Sequence, residues 1–202
     1  MRFLAIVPVL VACSAARADR LIDIPTASKL IYGDYRLEYA DQTSDSRTQL
    51  GYFDVGIGTA FETTVRAEQY QSRNLNGTFD VTYNYISPIS GISPGIAFGI
   101  QDALGNSIDG RRFFACFTFR DIVEGIGGEF PYDITIGGFV GAHSNPFVGT
   151  SIPFSSNFRL MAEHDGIRLS AGLQYQASRA LGLRLMVRGN DFLADLSWRG
   201  HF

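Results

Sequence analysis

Apolar and polar residues alternate with a period of two through most of the chain after residue 34. In the first such segment, Tyr35, Leu37 and Tyr39 alternate with Arg36 and Glu38. Residues two apart lie on the same face of a β-strand, so the pattern predicts strands with one apolar and one polar face. About twelve segments show it, at 35–39, 52–57, 61–68, 79–85, 96–101, 112–120, 134–141, 147–153, 158–163, 167–175, 181–188 and 191–202.

Turn signals separate these segments, and no stretch beyond the first 18 residues has the periodicity of a helix. Tight hairpins are favoured at Asn76-Gly77, Asp165-Gly166 and Gly189-Asn190. Longer connections rich in Gly and Pro are expected at 88–95 and 124–131. We therefore predict a single all-β domain over residues 34–202, folded as an antiparallel up-and-down barrel.

The charged residues of the strands fall almost entirely on the polar faces. Apart from the weakly defined segment 147–153, the apolar faces carry no Asp, Glu, Lys or Arg. An Arg or Lys that faces lipid costs about 2–4 kcal/mol at the middle of a bilayer, so the pattern is typical of a transmembrane barrel. A soluble periplasmic β protein, with the apolar faces turned inward, shows the same alternation and remains the alternative.

Large aromatic residues near the strand ends favour the transmembrane interpretation, because membrane barrels carry aromatic girdles at both interfaces. These residues are Tyr35, Tyr39, Tyr85, Phe113, Phe119, Tyr175 and Trp198. In the last segment the apolar face runs from Phe192 through Trp198 to the terminal Phe202. It resembles the closing strand of bacterial outer-membrane barrels, which the barrel assembly machinery reads. We expect it to pair with the strand at 35–39 and to contact outer-membrane lipid.

The first 18 residues have the features of an export signal. Arg2 is followed by an apolar run from Phe3 to Ala12, and Ala16-Arg17-Ala18 is a small-x-small cleavage site. The run is too short for a membrane helix. A lipoprotein-type cleavage that leaves a lipidated Cys13 is the alternative. Residues 19–33, interrupted by Pro25, are expected to form an extended arm that enters the lumen as a plug or lies outside it.

Charge and cysteine content exclude several classes of function. The chain has 17 basic and 20 acidic residues, a net charge of −3, and loss of the signal removes two Arg and no acid. Nucleic-acid binders are usually basic, so this class is disfavoured. After cleavage Cys116 is the one remaining thiol, which excludes an intramolecular disulfide and a Cys-based metal site.

A series of short motifs recurs in order along the chain, at 21–27, 33–37, 61–66, 79–81, 94–102, 162–163, 171–175 and 188–189. Together they resemble the YjbH-like family of outer-membrane proteins, which are linked to exopolysaccharide and capsule production. Many members carry a second related region, and this chain resembles a single unit. The resemblance implies a role in exporting or handling a surface polysaccharide, and it implies no catalytic residues.

The sequence offers little sign of enzymatic chemistry. His143-Ser144-Asn145 is similar to the His-x-Ser-Asn motif of outer-membrane lipid A deacylases. Adjacent residues of a strand point to opposite faces, whereas a serine hydrolase needs its His and Ser within hydrogen-bond reach. His164, between Glu163 and Asp165, lacks converging metal ligands. We expect no catalytic residue, no metal and no cofactor.

The polar faces carry the one constellation that suggests a function. Guanidinium groups inside a lumen can bind the carboxylates of an anionic polysaccharide in bidentate fashion. Alternatively they pair with the neighbouring carboxylates and fill a closed barrel. The predicted lumen charges are Arg36, Glu38, Glu62, Arg66, Glu68, Arg112, Arg120, Arg159, Glu163, Arg168, Arg184 and Arg188.

The expected protein is thus a non-enzymatic barrel of the bacterial outer membrane. Its expected role is that of an accessory or conduit in exopolysaccharide secretion, with an anionic polysaccharide and other secretion proteins as partners. A general structural or small-solute pore protein is the first alternative, and a soluble periplasmic β protein is the second.

Overall fold

A computed structural model describes residues 20–42, 48–70 and 74–202 of the chain. Across these residues the regular structure consists of twelve β-strands, which are β1 (Asp34–Gln42), β2 (Thr48–Ile57), β3 (Phe61–Tyr70), β4 (Asn76–Ile86), β5 (Gly95–Gln101), β6 (Arg112–Gly125), β7 (Gly128–Gly141), β8 (Pro146–Pro153), β9 (Phe158–His164), β10 (Leu169–Gln176), β11 (Leu181–Arg188) and β12 (Asp191–His201). Among the described residues there is no helix long and apolar enough to cross a membrane.

Each strand pairs antiparallel with its neighbours in the sequence, and β1 pairs with β12 to close the barrel. In this closing pair Leu37 lies opposite Trp198, and Tyr35 lies opposite Gly200. The structure confirms the predicted single up-and-down barrel of about twelve strands, including its closure by the last strand. A closed barrel has no unpaired sheet edge along its wall.

The wall has apolar residues outside and polar residues inside. On β1, Leu37 is 48 % exposed, whereas the neighbouring Arg36 is only 2 % exposed. The same alternation runs around the barrel, so that Val65, Phe117 and Leu185 are exposed on its outer surface. In soluble proteins Arg and Glu are almost never fully buried unless they are paired. The burial is therefore the reverse of that expected for a soluble sandwich.

The structure corrects the expected connection at 124–131. Strand β6 continues to Gly125 and β7 begins at Gly128, so only Ile126 and Gly127 form the turn. The hairpin extends beyond the last pair between β5 and β6, Gly95 with Thr118. Backbone hydrogen bonds from neighbouring turns support it there, from Gly91 N to Arg120 O (3.0 Å) and from Ile126 N to Phe154 O (2.8 Å).

Candidate functional site

The lumen of the barrel contains an N-terminal segment, residues 20–30, which we call the plug. The barrel end where β1 begins and β12 finishes is called the terminal end, and the opposite one the far end. Near the terminal end, the backbone N–H of Leu30 donates to Glu62 Oε2 (2.9 Å), and that of Ala27 donates to Thr118 Oγ1 (2.8 Å). The plug thus enters the lumen from the terminal end.

The plug reverses direction close to the far end. A hydrogen bond from Leu21 N to Ile24 O (3.0 Å) closes the turn, and Asp23 pairs there with Arg188 at 3.0 Å. On the N-terminal side of this turn the chain runs back, so that Arg20 lies in the middle of the lumen. Its guanidinium pairs with Glu38 and lies 3.7 Å from the centre of the Tyr52 ring. The plug therefore occupies much of the length of the lumen.

The turn of the plug binds one carboxyl group of the wall, that of Glu163 on β9. Its Oε2 accepts hydrogen bonds from Ile22 N (2.9 Å) and Ile24 N (3.3 Å), and its Oε1 accepts one from Asp23 N (2.8 Å). Successive backbone N–H groups that converge in this way form a concave site for carboxylate or phosphate oxygens. Glu163 therefore attaches the plug to the wall through both of its oxygens.

Apolar contacts with the wall also hold the plug in place. Leu21, Ile24 and Ala27 are buried in the core of the lumen. Two wall glycines make room for them: a Cβ atom at Gly149 would lie 2.6 Å from Leu21 Cδ2, and one at Gly95 would lie 2.8 Å from Ala27 Cβ. The wall is thus shaped to accommodate this segment.

Buried ion pairs surround the plug in the lumen. Arg36 pairs with Asp54 (2.7 Å) and Glu38 (3.5 Å). Arg184 pairs with Asp195 (2.7 Å) and also with Glu38, and its Nη1 donates to Leu21 O (3.0 Å). Burying unpaired charges would cost several kcal/mol each. The paired arrangement explains how so many charged residues are accommodated away from water.

The structure brings nearly all of the predicted lumen charges together. The buried ones are Arg36, Glu38, Glu62, Arg66, Glu68, Arg112, Arg159, Glu163 and Arg184. Arg120 is partly buried and pairs with Asp133 (2.7 Å), and the partly buried Arg188 pairs with Asp23. The side chains of Phe192, Trp198 and Phe202 face outward and are exposed, as expected for the closing strand.

Arg168 differs from the other predicted lumen residues. Strand β10 begins only at Leu169, so Arg168 lies in the turn at the far end, and its side chain is 36 % exposed. There it pairs with Asp109 (3.2 Å) and Asp165 (3.8 Å). The hairpin signal at Asp165-Gly166 is therefore correct, but the turn spans residues 165–168 and includes Ile167 and Arg168, which the alternation assigns to the strand.

Several partners of the lumen charges did not enter the predicted set. Asp54 pairs with Arg36, and Asp133 pairs with Arg120. The alternation of β2 places Asp54 on the inward face, so this pattern in the sequence could have identified it. Arg20 and Asp23 lie in the plug, where no periodicity assigns a face.

Two small cavities beside the plug are lined by described residues. The terminal cavity, which lies toward the terminal end, offers about 50 Å³ to the centres of water molecules, and the far cavity offers about 20 Å³. One water needs about 10–15 Å³ by this measure. Each cavity therefore holds only a few waters, and neither provides the width of a polymer channel.

The other candidate chemistry is not assembled. His143 and Ser144 are exposed in the turn between β7 and β8, outside both strands. Among the residues that the structure describes, no three His, Cys, Asp or Glu side chains are grouped to hold a metal ion.

No protein-family model and no curated protein matches the chain. The similarity to the YjbH-like family stays a prediction from the motifs.

Proposed function

We propose that the protein is a barrel of the bacterial outer membrane whose lumen is closed by its own N-terminal plug. One observation carries the proposal: the apolar residues of the wall face outward while its charged residues face the lumen. Soluble monomers rarely expose an apolar patch larger than a few hundred Å². A continuous apolar outer surface matches the band that a membrane barrel turns toward lipid.

Aromatic residues at both ends of this surface support the same conclusion. At the terminal end, the rings of Tyr35 and Phe202 lie 4.9 Å apart, and those of Phe158 and Tyr175 lie 4.8 Å apart. Phe113 is exposed close to the far end. Aromatic girdles of this kind lie at the interfaces of membrane barrels. The leader at 1–18, which lies outside the described residues, is the proposed signal for export of the chain.

The filled lumen favours an accessory role over that of a conduit. The plug is held by Glu62, Thr118 and Glu163, and the cavities beside it hold only a few waters. The motif resemblance supports a link to exopolysaccharide secretion. We therefore propose that the barrel assists a secretion system for an anionic polysaccharide and does not itself pass the polymer.

Membrane insertion is tested by fractionation and by gel mobility with and without boiling. A folded membrane barrel is expected in the outer-membrane fraction and should shift its mobility on heating. The matched control is the same chain with Leu37, Val65 and Leu185 replaced by Ser, which should fail to insert. A protein found only in the soluble periplasmic fraction, with unshifted mobility, would refute the proposal.

The two remaining parts of the proposal need separate measurements. In planar bilayers the intact protein should give no steady conductance, whereas a variant that lacks residues 20–30 should conduct. Steady conductance by the intact protein would instead support the pore alternative.

Deleting the gene should reduce surface polysaccharide, and restoring the intact gene should recover it. Unchanged polysaccharide in the deletion strain would remove the link to secretion.

A further inference from the structure

The two cavities beside the plug differ in the charge of their linings. The terminal cavity is lined by five guanidinium groups and two carboxyl groups, from Arg20, Arg36, Arg159, Arg184, Arg199, Glu38 and Asp133. The far cavity is lined by three guanidinium groups and four carboxyl groups, from Arg20, Arg66, Arg112, Asp23, Asp80, Asp109 and Asp165. Guanidinium groups therefore outnumber carboxyl groups in the lining of the terminal cavity only, and three of them, Arg20, Arg36 and Arg184, pair with Glu38, Asp54 and Asp195.

Hydroxyl and amide groups complete the lining of the terminal cavity. Ser28, Ser151 and Ser197 contribute hydroxyls, and Gln174 contributes an amide. Arg159 Nη1 donates to Ser151 Oγ (2.7 Å), which fixes the orientation of this guanidinium beside the cavity. Guanidinium groups bind carboxylate and phosphate in bidentate fashion, and hydroxyl groups also donate charge-assisted hydrogen bonds to these oxygens.

The residues that line the terminal cavity differ in their exposure to solvent. Arg36, Arg159 and Arg184 are buried, whereas Arg199 and Gln174 are half-buried. Arg199 lies opposite Arg36 in the closing strand pair, two residues from the end of β12, and Gln174 lies opposite Arg159. The half-buried Arg199 and Gln174 thus lie near the terminal end at the same level of the wall as the buried Arg36 and Arg159, and Arg184, opposite Asp195, lies deeper.

We propose that the terminal cavity is a binding site for one carboxylate or phosphate group, which enters from the terminal end. A space of about 50 Å³ for water centres accommodates an anionic group in place of a few waters but not a whole sugar ring. The ligand is therefore a free oxyanion or the anionic substituent of a larger molecule whose remainder stays outside the entrance.

This inference concerns the folded barrel and does not depend on a role in secretion or on the orientation of the barrel in a membrane. It can be tested on the intact protein in detergent, after a heat-shifted band on a gel has shown that each sample is folded. Loss of binding in a folded barrel would refute the anion site and leave the membrane proposal unaffected.

The probes are inorganic phosphate, glucuronate and uncharged glucose, each titrated by isothermal calorimetry or by backbone amide chemical shifts. Saturable binding of phosphate, glucuronate or both is expected, with shifts at Ser151 and Ser197, and no binding of glucose. Phosphate alone would identify a phosphate source, and glucuronate alone would identify a sugar carboxylate. Absence of saturable binding for both anions, or equal binding of glucose, would overturn the proposal.

Two variants and a matched control locate the site. Arg159→Gln and Arg199→Gln should each weaken anion binding about tenfold, the effect of losing one charge-assisted contact. Arg199 is half-buried at the entrance, so its variant should fold even if Arg159→Gln does not. Arg112→Gln, in the far cavity, should leave the affinity unchanged. Equal weakening by Arg112→Gln would show a diffuse effect of charge and would overturn the assignment to the terminal cavity.

Discussion

Glu163 shows how a single wall residue holds the plug. Both oxygens of its carboxyl group accept backbone N–H groups of the turn at Ile22, Asp23 and Ile24. Glu163→Gln replaces one of these acceptors by an amide that can only donate. A buried N–H without an acceptor costs about 1–3 kcal/mol. We therefore expect amide hydrogen exchange at residues 22–24 to become about tenfold faster or more.

The control for this variant is Glu129→Gln, since Glu129 is exposed on the β6–β7 hairpin. It removes the same carboxyl group without touching the plug, and exchange at residues 22–24 should not change. Exchange in Glu163→Gln that equals that of the unmodified protein would contradict the role of Glu163 as the attachment of the plug.

Asp102 determines the pH response of the loop between β5 and β6, at the far end. Burial raises the pKa of its carboxyl group, but hydrogen bonds from the Thr78 and Ser107 hydroxyls and from the Ser107 and Asn106 amides outweigh it and lower the pKa to about 2. The folded pKa lies below the ordinary value of 3.8. Its contribution to stability is therefore complete above that value and is lost as the pH falls through 2.

We expect the protection factors of the Asn106 and Ser107 amides, corrected for intrinsic exchange, to fall as the pH is lowered from 4 to 2. In Asp102→Asn the protection should be low already at neutral pH and should show no step. Asn suits this position, because the backbone φ of 53° is one that Asn and Asp tolerate. An acid step of the same size in Asp102→Asn would assign the titration to another group.

At the scale of elements, glycine residues of the wall leave the space that the side chains of the plug occupy. Gly149, on β8, faces Leu21 and Ile24, whose methyl groups would lie 2.6 and 2.7 Å from an added Cβ. Gly149→Val should therefore displace the plug. We expect cleavage of the folded barrel by trypsin after Arg20, which the unmodified protein should resist.

Gly77→Val is the matched control, because Gly77 lies in β4 with open space around an added Cβ. It makes the same change at a strand position where the added Cβ has no atom within 4 Å, and it should leave the cleavage pattern unaltered. Resistance of Gly149→Val to trypsin would mean that the plug tolerates the added volume by a small shift of Leu21 and Ile24.

The wall could be predicted from the sequence more completely than the lumen. Alternation assigns a face to each strand residue by itself, so strand number and closure follow from local patterns. The sequence does not predict the length of the β6–β7 hairpin, because Gly125, Gly128 and Pro131 indicate a connection locally. The support for this hairpin comes from the turns at Gly91 and Phe154, whose proximity appears only once the barrel has closed.

The contacts of the lumen could be predicted only in part. Alternation turns Arg36, Glu38 and Arg184 inward, but their pairing depends on how β1, β11 and β12 are aligned around the barrel. The partners of Glu163 are backbone amides about 140 residues earlier in the chain. A backbone N–H has no signature in the sequence, so no pattern of side chains can identify these contacts.

At the scale of the whole molecule, the proposed membrane location determines what an outward substitution costs. Leu185 lies midway along β11 opposite Ala194, and 52 % of its surface is exposed. If the wall faced water, Leu185→Arg would change the free energy of unfolding by no more than about 0.5 kcal/mol. If the wall faces the middle of a bilayer, the same change costs about 2–4 kcal/mol.

We expect the larger value when unfolding by denaturant is measured in lipid vesicles. The matched control is Asn190→Arg, which adds the same side chain in the exposed turn between β11 and β12, beyond the apolar surface. It should cost less than about 0.5 kcal/mol. Because exposure to water alone makes both positions tolerant, only a lipid environment separates the two variants. Equal stability of Leu185→Arg and Asn190→Arg would mean that the apolar outer surface does not contact lipid.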